Sequence, residues 1–126
     1  MRHSLFAFSL VLLAVSCKKS DTATATIAYQ AKVCFTALHH TYAVPNIDAY
    51  LKLNATEFPG WDYKRYDKHI TADANGKACF DALPLGTHYI MLTGYDPTWG
   101  ADVLGNHQIT IKKVDDALDI TIYVSE

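Results

Sequence analysis

The sequence predicts an all-β protein: a seven-stranded β-sandwich with antiparallel or mixed sheets, preceded by a signal peptide. Three observations carry this. Apolar residues recur at every second position in several short runs, turn residues punctuate those runs, and no segment keeps a helical period over three turns. Half of the 126 residues are hydrophobic, which suits a packed domain and excludes a disordered chain.

In "TIAYQAKVCFTA", Ile27, Tyr29, Ala31, Val33, Phe35 and Ala37 share one face and Lys32, Cys34 and Thr36 the other, the pattern of a half-buried strand. "LHHTYAVPN" reads as a loop closed by Pro45 and Asn46, and "IDAYLKL" as a strand with Ile47, Ala49, Leu51 and Leu53 inward. "NATEFPGWDYKRY", with Pro59 and Gly60, is a long loop running into a strand near Tyr66 to Thr71, and it is long enough to hold a site. Asp73, Asn75 and Gly76 predict a tight hairpin in which Asn and Gly supply positive φ, after which Ala78 and Phe80 face in and Cys79 faces out. Pro84 and Gly86 mark a turn. "THYIMLTGY" is a strand apolar on both faces, and "DPTWGADVLGN" reads as a second Gly-rich loop. "HQITIKK" turns Ile109 and Ile111 inward, and "ALDITIYV" does the same with Leu118, Ile120, Ile122 and Val124. One sheet cannot cover that much alternating apolar surface, so two must pack face to face.

The N-terminus has its own logic. Arg2 precedes an apolar stretch from Leu5 to Val15, broken only by Ser9, which is too short to span a bilayer needing roughly 20 apolar residues. A basic start, a short apolar run and small residues make a secretory signal peptide. Its end, Leu13-Ala14-Val15-Ser16-Cys17, resembles a bacterial lipobox, which implies cleavage after Ser16 and diacylation of Cys17. The alternative is an ordinary signal peptide cleaved near Ala14 or Ser16. Buried acyl methylenes contribute about 0.8 kcal/mol each, so two chains anchor a protein without a transmembrane helix. The chain thus divides into a signal peptide (1–16), a lipidated cysteine and tether (17–26) and one domain (27–126). The expected location is the cell envelope, lipid-anchored, at the outer membrane. The mature charge of −3 excludes a basic nucleic-acid-binding module.

"TADANGKACFDALPLGTHYIML" resembles the carboxypeptidase regulatory-like family, the transthyretin-like or prealbumin-like sandwich. Thr71, Asp73, Asn75, Gly76, Lys77, Phe80, Leu83, Pro84, Gly86 and Tyr89 meet its familiar run, and "GYD" at Gly94 to Asp96 also fits. The resemblance covers about residues 27 to 124 and implies fold more than function, because such modules serve as accessory, adhesive or structural domains. It also implies that Cys34 and Cys79 lie on neighbouring strands, where alternation points both outward. A disulfide and two unpaired thiols are both open at this point.

Catalysis is not expected. The mature chain has only Ser20 and Ser125 as serines, and it ends "IYVSE", without the Y-R-G-S motif of the hydroxyisourate hydrolases that share the transthyretin-like fold. Metal binding would draw on His39, His40, His69, His88 and His107. These read as solvated loop histidines, since adjacent His39 and His40 point apart on an extended chain, and no metal or cofactor is expected. Aromatic residues offer more. Trp61, Tyr63 and Tyr66 lie in the long loop and Tyr95 and Trp99 in the second Gly-rich loop, where flat faces beside polar groups suit a glycan or peptide. The competing reading is that Trp61 and Trp99 fold back over the open ends of the sandwich. The functional expectation is a non-catalytic structural or interaction module with an envelope protein as partner; the alternative is glycan or peptide binding through the loops of Trp61 and Trp99.

Overall fold

The computed structural model describes residues 29–126. The signal peptide, Cys17, the tether and Ile27 lie outside the described residues. Eight strands form, β1 (Ala31–His39), β2 (Tyr42–Ala43), β3 (Asp48–Lys52), β4 (Lys68–Thr71), β5 (Lys77–Leu83), β6 (Gly86–Asp96), β7 (Ala101–Ile111) and β8 (Ala117–Val124), with a single 3₁₀ turn at Tyr63–Arg65. They make the expected two-sheet sandwich with one strand more than predicted.

Sheet A is organised around β1. β8 runs parallel to it along one edge, from Lys32 opposite Ala117 to His39 opposite Val124. The other edge is shared by antiparallel β5 and β2. The Ala37 N–H donates to Gly76 O and the Ala37 carbonyl accepts from Val44 N, which places both neighbours on one side. Sheet B has the order β4-β3-β6-β7, antiparallel throughout. Where their edges meet, Leu104 and Ser125 exchange two backbone hydrogen bonds of 2.9 Å. Gly105 permits that approach, since a Cβ there would sit 2.7 Å from Val124 Cγ1.

The alternation that predicts the strands also fills the core. Ala31, Val33, Phe35 and Ala37 of β1 meet Ile47, Ala49 and Leu51, with Phe80, Ile90, Leu92, Ile109, Ile111 and Ile122 between the sheets. Each fully buried side chain of this size contributes about 1.5–3 kcal/mol, so the two inner faces hold the sandwich shut. Tyr29 departs from the pattern and is exposed, because it precedes β1 and has no opposing sheet.

Several elements differ from expectation, and β1 itself runs on through Leu38 and His39, which read as loop. β2 forms inside the stretch read as a loop, since His40 at φ 56° reverses the chain and lets Tyr42 pair back with His39. The turn at Asp73–Gly76 is tight, but it joins β4 of sheet B to β5 of sheet A and so is a crossing between sheets, not a hairpin. Only Gly76 takes positive φ there, while the Asp73 carboxylate accepts from the N–H groups of Asn75 and Lys77. β7 begins six residues before "HQITIKK", so most of the predicted second Gly-rich loop is strand and only residues 97–100 turn. Within β5, Ala82 at φ 53° marks a bulge, since Val33 faces Phe80 while Ala31 faces Leu83.

Cys34 and Cys79 face each other across β1 and β5 on the outer face of sheet A, their sulfurs bonded at 2.05 Å. Crosslinking two strands 45 residues apart in sequence removes freedom from the unfolded chain, worth about 2–4 kcal/mol. Reduced and alkylated protein is therefore expected to lose about that much in a urea titration. Thiol counting on unfolded, unreduced protein should find neither Cys34 nor Cys79 free.

Candidate functional site

The long connection from Leu53 to Asp67 is a compact Ω-loop with a closed neck. Its ends are joined by Leu53 N donating to Asp67 Oδ2 (2.8 Å) and Asp67 N to Leu51 O (2.8 Å). His88, fully buried on β6, locks the neck from inside. It accepts the Asn54 N–H at Nδ1 (2.9 Å) and donates from Nε2 to Pro84 O (2.8 Å), so both ring nitrogens are used and one tautomer is specified. Ala55 N donates to Thr87 O, and the Gln108 side chain donates to Thr56 O, tying the loop to β6 and β7.

Inside the loop, the Tyr66 hydroxyl donates to Gly60 O (2.8 Å) and Arg65 donates to Pro59 O (3.2 Å). Asp62 starts the 3₁₀ turn by accepting from Lys64 N. The loop covers the outer face of sheet B, which explains why Met91, an outward residue of β6 opposite Tyr50, is buried.

On this base two aromatic clusters form. Phe58 braces Trp61 edge-on at 4.7 Å and approaches Tyr89 at 6.1 Å. Tyr50 stacks on His69 at 4.6 Å and lies 5.8 Å from Tyr63 and 6.2 Å from Tyr66. Trp61 and Tyr63 stay 49% and 56% exposed. Beside them Asp48 Oδ1 accepts from His69 Nε2 (2.9 Å) and Thr71 Oγ1 (3.0 Å), a polar set adjoining flat aromatic faces. Burial, the neighbouring Asp48 carboxylate and Tyr63 raise the Tyr50 phenol above its ordinary value, and burial pushes Tyr66 up to about 12.

Tyr95 and Trp99 are elsewhere. Tyr95 is on β6, not in a loop, and Trp99 sits in the β6–β7 turn. Seven residues of strand, roughly 23 Å, separate Tyr89 beneath the Ω-loop from Asp96 at that turn. The five aromatic candidates therefore form two surfaces rather than one. Trp61 leans on Phe58 and remains half exposed. Trp99 leans on His40 (4.5 Å) and His39 (6.0 Å) at the tip, yet remains half exposed.

That tip holds a pair missed by the sequence reading. His39 and Asp96 are both buried and joined by a 2.8 Å hydrogen bond from Nδ1 to Oδ2, linking β1 of sheet A to β6 of sheet B. Asp96 Oδ1 also accepts from Thr98 N. Burial pushes the Asp96 carboxyl up, but the His39 hydrogen bond and the Thr98 and Trp99 N–H groups outweigh it and hold the carboxyl below its ordinary value of 3.8. His39 and His88 are thus buried and engaged rather than solvated loop residues. No hydrogen bond links His39 to Ser125, which follows its β8 partner Val124.

Outside these surfaces, a depression of about 270 Å³ lies on sheet A over the disulfide, lined by Thr36, Asp73, Lys77 and Asp119. Among the described residues no group of three or more His, Cys, Asp or Glu is placed to hold a metal, and no helix is long and apolar enough to cross a membrane.

Two titrations test these placements. With Asp96 held below 3.8 in the fold, its contribution is complete above pH ~4 and drains away as pH falls through the folded value. Denaturation midpoints should therefore drop more steeply below pH ~4 in the native protein than in Asp96→Asn. At the alkaline end the raised Tyr66 stabilises the fold fully below pH ~10 and loses that contribution as pH rises to about 12. A late phenolate absorbance step, absent from Tyr66→Phe, is the expected signature.

No family model and no curated protein match this chain. Among solved structures it is similar to BcpA, the major pilin subunit of Bacillus cereus, at 14% identity and TM-score 0.52, and to its D312A form at 14% and 0.53. These matches cover 76% and 77% of this chain but only 30% of the pilin, so the chain corresponds to about a third of that protein. It is also similar to a "putative carbohydrate binding protein" from Pseudomonas aeruginosa, at 16% identity and TM-score 0.52, over 80% of this chain and 92% of that one. At such identities the likeness is one of fold, and it identifies the β-sandwich as an architecture shared with a pilin subunit and a protein of that description.

Proposed function

We propose that this chain is a non-catalytic module of the cell envelope, a carboxypeptidase regulatory-like sandwich held to the outer membrane through a lipidated Cys17, which engages an envelope protein through the Ω-loop face of sheet B. The observation that carries the reading is the state of Trp61 and Tyr63. Both are half exposed although Phe58 and Tyr50 brace them from beneath, so large apolar faces are held toward solvent on a stiff base. Rigid aromatic anchors lose little conformational entropy when a partner covers them. The scarcity of serine, with only Ser20 and Ser125 after Cys17, supports a role without catalysis. The pilin and Pseudomonas folds support a structural or binding module.

A second reading, glycan binding, is favoured by one arrangement, the stacked Tyr50–His69 pair beside the Asp48 and Thr71 oxygens. Aromatic faces give a sugar ring contact area while the carboxylate orients its hydroxyls. A titration of the protein against envelope and dietary glycans, read by tryptophan fluorescence, separates the two. Saturable quenching lost in Trp61→Ala and kept in Trp99→Ala establishes a glycan receptor with its site on the Ω-loop. A flat response across the panel favours the protein partner. Crosslinking in intact envelopes should then yield an adduct that Trp61→Ala and Tyr63→Ala abolish.

A further inference from the structure

We propose that His39 and His40, with Asp96 behind them and Trp99 beside them, form an exchangeable site for a borderline divalent cation of the zinc, cobalt or nickel type at the tip of the sandwich. The site lies roughly a strand length from the Ω-loop and is independent of the function proposed for it.

The His39 Nδ1–H is committed to Asp96 Oδ2 at 2.8 Å, which puts the ring's lone pair on Nε2. No hydrogen-bond partner is found for Nε2 among the described residues, and no side-chain nitrogen or oxygen there is both sealed from solvent and unpartnered. Among the described residues Nε2 is thus not sealed from solvent without a partner, on a ring that is only 3% exposed. A buried carboxylate behind one imidazole nitrogen, with the other turned outward, is the arrangement that orients metal-binding histidines and makes them more basic.

On an extended chain the His40 ring would leave the face that His39 occupies. Instead His40 adopts φ 56°, a left-handed conformation that L-residues enter at a cost of about 1–2 kcal/mol. That turn brings the two rings to a centroid separation of 4.4 Å at a tilt of 36°. The two imidazoles are then close neighbours at the tip, and the negative charge of Asp96 favours a cation over an anion there. Imidazole ligands suit zinc, nickel and copper. With two protein ligands the remaining positions fall to water, which makes the ion exchangeable and distinguishes the site from closed, four-ligand structural zinc.

Trp99 supplies the measurement, because its ring lies 4.5 Å from His40 and the chain has only one other tryptophan. In full-length Trp61→Phe, where Trp99 is the sole indole, Co²⁺ should quench the fluorescence saturably, with reversal by a chelator and displacement by Zn²⁺. His40→Ala removes an exposed ring at no cost to the core and should weaken the apparent affinity at least tenfold, whereas His69→Ala on the Ω-loop face should leave it unchanged. The Co²⁺ absorption spectrum should show nitrogen ligation that His40→Ala diminishes. Quenching that is linear in Co²⁺, that persists at full affinity in His40→Ala, or that disappears in His69→Ala would overturn the proposal. Because the readout uses neither the glycan panel nor the envelope crosslink, its failure leaves those tests intact.

Discussion

Every backbone pairing in sheet A passes through β1, and the rest of the molecule is arranged around that dependence. A strand with both edges occupied has no unpaired donors or acceptors to lose to water, which is why the nine residues from Ala31 to His39 can alternate so strictly between core and surface. β8 covers one edge along its full length, while β5 and β2 divide the other. Because β1 and β8 are parallel, no hairpin can join them. The chain must build sheet B between them, crossing from sheet to sheet at residues 44–47, 72–76, 84–85 and 112–116. The disulfide, the bulge at Ala82 and Gly76 all lie along the border between β1 and β5, where those crossings converge on the central strand.

Two devices then couple the sheets beyond apolar packing. At one end, His88 ties the inner face of β6 to the neck of the Ω-loop and to the β5–β6 turn. At the other, His39 and Asp96 join β1 to β6 directly. His88 uses both ring nitrogens and His39 its Nδ1, and among the described residues no side-chain nitrogen or oxygen is sealed from solvent without a partner. The two aromatic surfaces grow from these ends. The Ω-loop supports Trp61 and Tyr63 because its neck is closed, and Trp99 rests on His40 beside the His39 ring that Asp96 holds in place.

How much of this could be read from the chain depends on whether the determining contacts are local. The inward sets of β1, β3 and β8 were legible because period two is imposed by the strand itself, and β8 matches its expected bounds. The start of β7 was not. Asp102, Gly105 and Asn106 compose like a turn, and Gly105 is there because Val124 and Tyr123 crowd it from another strand. His39 looked like a loop residue beside His40, since its partner Asp96 lies 57 positions away. The aromatic content of the long loop was visible in Trp61, Tyr63 and Tyr66. Its supports, Tyr50, Tyr89 and Phe58, come from two strands and a loop position that only register brings together.

The parallel pairing of β1 with β8 also determines how the domain bears load. The chain enters β1 at Ala31 and leaves β8 at Val124, at opposite ends of the same pair. A pull between Tyr29 and Ser125 drags the two strands past each other lengthwise, so the interstrand bonds from Lys32 to His39 resist together instead of opening one at a time. Such a pull loads sheet A in shear, with the Cys34–Cys79 bridge preventing β1 from stripping away from β5.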